Sequence, residues 1–364
     1  MDTSPAQASV ADAAPQASVH RVSFNGRGGE YFRIWIVNVA LSVITLGIYS
    51  AWAKVRRLNY FYRNTSLAGS SFEYHGQPLA ILKGRILAVV LLVVWNVAPE
   101  IHLVFFLVVF IAGLCILPWL INSALRFRLH NSAYRGLRFR FLGRVKEAAK
   151  VFLLYPFFVL ITLGIAYPYF KWRTKQFFFS HAAYGSLQAK FNAPLGPFFR
   201  LYVFVAFLGA LIPLAIALSL IVYFRGMFGD GSLSNPGDLD DWAKLLIIAP
   251  AVFVGFITYL GIWAFIRARL HVVCWDGLGI GDHRVQCQLN PWKFAAISLA
   301  NLALIFLTFG LYKPFSDIQL TGLLAQSIEL HCAGDLSNAL ASAAVETRAA
   351  GEEAAEIFDM DIGL

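Results

Sequence analysis

Seven apolar stretches dominate the chain: Ile34–Trp52, Leu79–Ala98, Ile101–Ile121, Ala148–Phe170, Phe198–Phe224, Leu245–Ile266 and Phe294–Leu311. Each approaches or exceeds the roughly 17–25 residues with which a helix crosses the hydrocarbon of a bilayer. So much oil needs a large charged surface to stay in water, and the chain lacks one. Of its 364 residues 58% are hydrophobic and only 14% charged, against about 25% charged in soluble domains. Lipid is therefore the solvent for much of the chain. An ordinary soluble enzyme, a secreted disulfide scaffold and a disordered protein are excluded. Trp35, Trp52, Trp119, Trp172, Trp263 and Trp292 stand near run ends, where an amphipathic ring meets the membrane–water interface.

The connectors differ in charge. Residues 53–85, 122–150, 171–200 and 267–293 are rich in Lys and Arg, Pro99-Glu100 has no base, and 225–244 is mainly acidic. The positive-inside rule puts the first four in the cytoplasm and the last two outside, so 79–121 and 198–266 read as helical hairpins. Lys83, Arg85 and Arg200 then snorkel from near their cytoplasmic ends. Residues 1–20, rich in Ala, Ser, Pro and Gln, read as a disordered tail without a secretory signal. Residues 334–364 carry seven acids against Arg348, an acidic tail whose charge suits the basic loops. No recognised nucleic-acid module accompanies the bases, which leaves anionic membrane lipids as their expected partners.

The chain repeats itself. Phe24-Asn-Gly-Arg-Gly-Gly-Glu30 recurs as Phe141-Leu-Gly-Arg-Val-Lys-Glu147, and at the same offset Thr45-Leu-Gly-Ile becomes Thr162-Leu-Gly-Ile. Asn301, Thr308, Gly310 and Tyr312 reproduce the spacing of Asn38, Thr45, Gly47 and Tyr49. Arg126-Phe-Arg-Leu-His130 matches Arg267-Ala-Arg-Leu-His271, each followed by Gly-Leu. A direct repeat with basic loops on one side requires every intervening segment to cross an even number of times. The Thr-Leu-Gly segments are then re-entrant, bending near Gly47, Gly164 and Gly310, or they span after all; length alone allows either. Residues 65–76, 136–143, 185–192 and 277–289 alternate apolar and polar between glycines, a short-strand pattern.

These repeated phrases carry a resemblance. Phe24-Asn-Gly, Gly29-Glu-Tyr-Phe-Arg-Ile-Trp-Ile-Val-Asn38, Thr45-Leu-Gly-Ile-Tyr-Ser-Ala-Trp-Ala-Lys-Val-Arg56 and Phe72-Glu-Tyr-His-Gly76 resemble the YjgN family of bacterial inner-membrane proteins, built around a domain of unknown function. The resemblance covers about residues 21–333. It implies multi-pass placement in the inner membrane and brings no catalytic residues.

Polar residues within this pattern are the candidate sites. Asn38 and Thr45 share a helix face, as do Asn301 and Thr308, while Tyr155 replaces Asn ahead of Thr162. They read either as hydrogen-bonding glue between closely packed helices or as the lining of a polar path where three segments meet. Glu30 and Glu147 each follow an Arg by three residues and suit capping and local ion pairing; proton coupling is the alternative. Arg126, Arg128, Arg267 and Arg269 end the returning helices, as orientation charge or as a grip on anionic lipid. His271, Cys274, His283 and Cys287 have zinc-like gaps, but Ala133 stands where the repeat would need a second Cys274, so no metal is expected. The four cysteines form no disulfide framework. No phosphate loop, dinucleotide fingerprint or nucleophile elbow is present, so neither a cofactor nor an enzyme is expected.

The expected fold is an all-α multi-pass membrane protein of four to seven transmembrane helices in an internally repeated arrangement, with short cytoplasmic β-elements. Its parts are the tail 1–20, a first repeat 21–140, a second 141–290, a third partial repeat 291–333 and the acidic tail 334–364. The expected function is a transporter or channel-like protein of the bacterial inner membrane. The alternative is a non-catalytic scaffold that binds anionic lipid or a protein partner through its basic loops.

Overall fold

The short alternating segments between the apolar runs are strands, and they join into one sheet. A computed structural model describes residues 18–228, 241–334 and 345. The chain opens with β1 (Ser18–Arg21) and β2 (Ser23–Phe24), then runs α1 (Gly28–Ile44), α2 (Ser50–Arg63) and β3 (Thr65–Leu67). Next come β4 (Ser70–Tyr74), α3 (Pro78–Ile101), α4 (Leu103–His130) and β5 (Ser132–Tyr134). β6 (Leu137–Phe141) leads into α5 (Val145–Ala149), which passes through a π-helical turn, Lys150–Leu154, into α6 (Tyr155–Ile161); α7 (Tyr167–Ser180) returns to β7 (Ala182–Tyr184). β8 (Leu187–Phe191), α8 (Leu195–Phe228), α9 (Asp241–Asp276) and β9 (Leu278–Ile280) follow, and β10 (His283–Cys287), α10 (Pro291–Leu307), α11 (Lys313–Gln326) and β11 (Ile328–Cys332) end the series.

The eleven strands are antiparallel in the order β1-β11-β10-β9-β8-β7-β6-β5-β4-β3-β2. Its two ends are consecutive in the chain, separated only by Val22, whose N–H donates to Ile328 O at 3.0 Å. Segment 18–24 thus closes the sheet into a ring: its first half pairs with β11, its second with β3. Closure leaves no bare edge for another chain to extend.

The unit strand, helical excursion, strand occurs five times round the ring. In each, the residue after the outgoing strand donates its N–H to the carbonyl just before the returning one. The five bonds are Asn25 to Asn64 (2.9 Å), His75 to Asn131 (2.8 Å), Leu142 to His181 (2.8 Å), Asn192 to Gly277 (2.7 Å) and Gln288 to Ser327 (2.8 Å). Because the two strands of every unit pair antiparallel, each excursion leaves and returns at the same rim of the ring. Among the described residues the opposite rim carries four tight strand-to-strand turns and the two chain ends of the ring, Ser18 and Cys332. In Ala68-Gly69 and Arg135-Gly136 both residues have positive φ, the twist-matched two-residue hairpin in which glycine relieves the second position.

Alternation sorts the side chains. Phe141 and, partly, Leu137 and Phe139 turn inward on β6 while Arg138 and Arg140 turn out. Inside the ring Ala189, Leu278, Val285, Leu330 and Cys332 form one cluster, and Leu67, from the other side of the strand order, packs against it. The Tyr134 hydroxyl donates to Leu67 O (2.6 Å) and that of Tyr184 to Tyr134 O (2.9 Å), tying each strand pair to the one before it. Burial raises both phenol pKa values above the usual 10, more than the nearby Arg135 guanidinium lowers them. Apolar side chains, bonded tyrosines and His283 line the interior.

The all-α expectation is therefore wrong: the strands are the frame from which every helix hangs. Strands of two to five residues are short, but eleven in one ring hold ten helix ends in fixed order. The range of four to seven spanning helices is also overturned. Among the described residues three helices are long and apolar enough to cross a membrane, Pro78–Ile101, Leu103–His130 and Phe253–Asp276, with Leu195–Ala210 and Pro291–Leu307 as shorter apolar helices. The run 34–52 is not one helix, because α1 ends at Ile44 and α2 turns back from Ser50. The expected tail 1–20 loses its last residues to β1, and its residues 1–17 lie outside the described residues. So does nearly all of the acidic tail.

Candidate functional site: a basic cleft on the helix-bearing rim

A cleft of about 510 Å³ lies on the rim where β8 passes into α8 and α9 into β9. Asn192 stands on the β8 side; Arg269 and Asp276 come from the last turns of α9; Arg284 comes from β10. The floor is Gly277 to Gly279. Gly277 is required here, since a Cβ would sit 2.4 Å from the Ala193 Cβ and 2.6 Å from its backbone. Gly279 faces Lys190 across one strand boundary and Arg284 across the other, so a bare position separates two outward cations about 10 Å apart, twice the strand spacing.

Among the described residues neither Arg269 nor Arg284 joins an ion pair. Asp276 accepts the Cys287 N–H at 2.6 Å through one carboxylate oxygen. That bond fastens the end of α9 to β10. The cleft therefore offers two guanidiniums, one amide and a glycine floor at the level where hydrophobic helices begin, chemistry suited to a phosphate.

The other sequence candidates are dispersed. Thr45, Thr162 and Thr308 sit at the tips of the three short excursions, and each hydroxyl serves its own turn. It donates to the carbonyl four residues back (2.7, 2.8 and 2.7 Å) and accepts the N–H four residues on (2.9, 3.1 and 3.0 Å). Asn38 and Asn301 are buried, and Asn38 Oδ1 and Asn301 Nδ2 have no hydrogen-bond partner among the described residues. Glu30 is exposed beside Arg27 (4.0 Å) and accepts from the Tyr60 hydroxyl (3.3 Å). Glu147 meets His181 at 2.7 Å. Arg126 donates to Gly143 O at 3.2 Å, Arg128 is exposed, and Arg267 lies over the Trp263 ring. Only Arg269 of the eleven enters the cleft.

Of the zinc-like foursome, His271 faces Leu324 O (3.2 Å) and the Ser327 hydroxyl (3.4 Å), which Cys287 also reaches (3.4 Å), while His283 accepts from Ala333 N–H (3.2 Å) and Cys274 packs with Phe191 and Phe198. Among the described residues no three potential metal ligands gather.

Comparison with known proteins identifies the framework. The profile of a family described as bacterial protein of unknown function (DUF898) matches residues 19–357, from β1 past the end of the ring. The chain belongs to this family. Inner membrane protein YjgN of Salmonella typhimurium (strain LT2) is 28% identical over 147 residues, 40% of this chain and 37% of the relative. The protein of that name from Escherichia coli O157:H7 is 29% identical over 155 residues, 41% and 37% of the two lengths. The chain thus spans well under half the length of these curated relatives. No solved structure matches. The profile and the relatives together make this a YjgN-family protein and support its placement in the inner membrane.

Within this family member, sequence reasoning missed Asn192, Asp276 and Arg284 because they come from the end of β8, the last turn of α9 and β10, which the pairing of β8, β9 and β10 brings together. A signal existed for Arg284, which follows the Gly281-Asp282 turn much as Arg138 follows Arg135-Gly136. Asn122 was also missed. It is buried on α4 with an unpaired Oδ1, an amide standing alone at the end of an apolar run.

Proposed function

We propose that this protein is a non-catalytic, multi-pass inner-membrane scaffold that holds anionic phospholipid headgroups along the helix-bearing rim of its ring. The observation that carries this reading is the cleft. Arg269 and Arg284, free of carboxylate partners among the described residues, converge at the base of helices that are apolar farther out. Anionic lipid is the partner that brings a phosphate to that level together with acyl chains for α8 and α9.

The test is lipid retention. Full-length protein reconstituted with phosphatidylglycerol and phosphatidylcholine, then examined by native mass spectrometry, is expected to keep phosphatidylglycerol preferentially. An Arg269→Gln/Arg284→Gln variant should lose about tenfold in that preference, the effect of two charge-assisted bonds traded for neutral ones. Equal retention of both lipids by the unaltered protein would rule the reading out.

A second reading, passage of a polar solute, is favoured by one observation. Asn38, Asn122 and Asn301 are buried on α1, α4 and α10 with unpaired amide atoms, each eight to ten residues from its helix's rim end. Polar groups at a common depth inside a helical bundle are costly and suggest use. Flux of small ions or osmolytes into proteoliposomes, abolished by Asn38→Ala/Asn301→Ala, would support it; no flux in any gradient would remove it.

A further inference from the structure

The three short excursions end in the same turn. Leu46, Leu163 and Phe309 have φ of 47°, 49° and 49°, and the glycines after them 89°, 91° and 90°. All N–H groups through each turn are satisfied within it. In the first, Thr45 N–H donates to Leu41 O, Leu46 to Val43 O, Gly47 to Ser42 O, Ile48 to Thr45 O and Ser50 to Gly47 O, at 2.7–3.1 Å, and Tyr49 N–H donates to the Thr45 hydroxyl. The same six-bond pattern recurs from Thr162 to Tyr167 and from Thr308 to Lys313. Every N–H from Thr45 to Ser50 is thus bonded without water, one part of what non-helical backbone needs in order to sit in hydrocarbon.

The tip residues point the same way. A left-handed conformation costs an L residue about 1–2 kcal/mol, and Gly or Asn is the usual solution in water. Here the position holds Leu, Leu and Phe, with 94%, 93% and 98% of their surface exposed. Large apolar side chains in a strained, protruding position suit acyl chains as their surroundings.

Helix lengths give the depth. α1 and α10, 17 residues each, rise about 25 Å from the rim at 1.5 Å per residue. Cations stand at several heights on the way up, from those named next up to Lys313 beside the Gly310 turn, and Arg85 reaches Ser50 beside the Gly47 turn. Lys54 and Lys171 stand nine residues above the rim ends of α2 and α7, Arg267 nine above that of α9 and Arg85 seven above that of α3, about 10–14 Å. From Lys54 and Lys171 the tip ends of α2 and α7 are four residues away, about 6 Å, so the tips stay within half of a hydrocarbon layer about 30 Å thick. α4, with 28 residues, rises about 42 Å and goes well past them.

We infer that the three Thr-(Leu/Phe)-Gly turns are half-depth anchors: they immerse Leu46, Leu163 and Phe309 among the acyl chains of the leaflet facing the ring, and stop there. The anchors displace lipid from that leaflet only. This inference is independent of the headgroup cleft.

Nitroxide labels at Leu46→Cys, Leu163→Cys and Phe309→Cys, singly, in full-length Cys115→Ser protein in liposomes, test it. With a water-soluble nickel chelate on both sides, all three tips should show several-fold less nickel collision and more oxygen collision than a label at Ala68→Cys on the opposite rim. Nickel access at any tip equal to that of position 68 overturns the inference. Leu46→Asn supplies a second measure with opposite signs. In water Asn relieves the left-handed strain and raises the melting temperature, whereas among acyl chains it lowers it. A raised value in bicelles overturns the inference as well.

Discussion

Removing one hydroxyl tests whether a Thr turn is dry. Thr45→Val keeps the side chain's shape and deletes its oxygen. Leu41 O loses one donor but keeps the Thr45 N–H at 3.0 Å, so it is not orphaned. The Tyr49 N–H loses its acceptor at 2.9 Å and gains none. An amide left unsatisfied away from water costs about 1–3 kcal/mol. The same change at Thr162 and Thr308 orphans Ala166 and Tyr312. The three turns lie on separate excursions, so their effects should add to about 3–9 kcal/mol, comparable with a whole protein's stability of about 5–15 kcal/mol. Thr45→Ser keeps the oxygen and should stay within about 0.5 kcal/mol of wild type, the range of an innocuous substitution. The assay is reversible unfolding in lipid bicelles across single, double and triple Val variants. Were the turns wet, water would accept from the freed N–H groups and the triple variant would lose little. A triple-variant loss below about 1 kcal/mol, less than one orphaned amide, refutes the reasoning.

Other consequences follow from close packing and burial. Gly277→Ala drives a Cβ into the Ala193 backbone and should cost about 2–3 kcal/mol, the upper part of the range for overpacking; an unchanged melting temperature would show that β8 and β9 part easily. Tyr134→Phe removes the bond to Leu67 O and should cost about 0.5–1.5 kcal/mol by chemical denaturation. The raised Tyr134 and Tyr184 pKa values also set an alkaline limit. Below about pH 10 both states carry neutral phenols and stability is intact. Above it the unfolded chain ionises first, so stability falls until the folded pKa is passed. Tyr134→Phe/Tyr184→Phe should flatten that decline, and an equally steep one would assign it to other groups.

Much of the frame was visible in the residues. The alternation at 65–76, 136–143, 185–192 and 277–289 marks six strands, β3, β4, β6, β8, β9 and β10, while β5 and β7 fall just ahead of these ranges. The Thr-Leu-Gly phrases mark chain reversals through the paired positive φ values they need. Ring closure was not visible. β2 has two residues, too few for a period, and β11 buries Glu329 between apolar neighbours, which reads as noise until Arg21 is found 2.6 Å from its carboxylate. Strand order rests on pairing between distant residues, which local pattern does not encode, while the helices dominate composition and suggested an all-α fold. The cleft was invisible for the same reason: Asn192 is distant in sequence from Arg269 and Arg284, and the pairing of β8 with β9 joins them.

The central claim is that every helical excursion leaves and returns on one rim of a closed sheet, so that the opposite rim lies wholly on one side of the membrane. Single cysteines at Ala68, Arg135, Ser186 and Asp282, placed in the four turns of that rim, test it most directly in a background with Cys115 replaced. With a membrane-impermeant maleimide, all four should stay unlabelled in intact spheroplasts and all four should react in inverted vesicles. Any one of them reacting from the outside would mean that an excursion crosses an odd number of times, and the ring could not be closed as described.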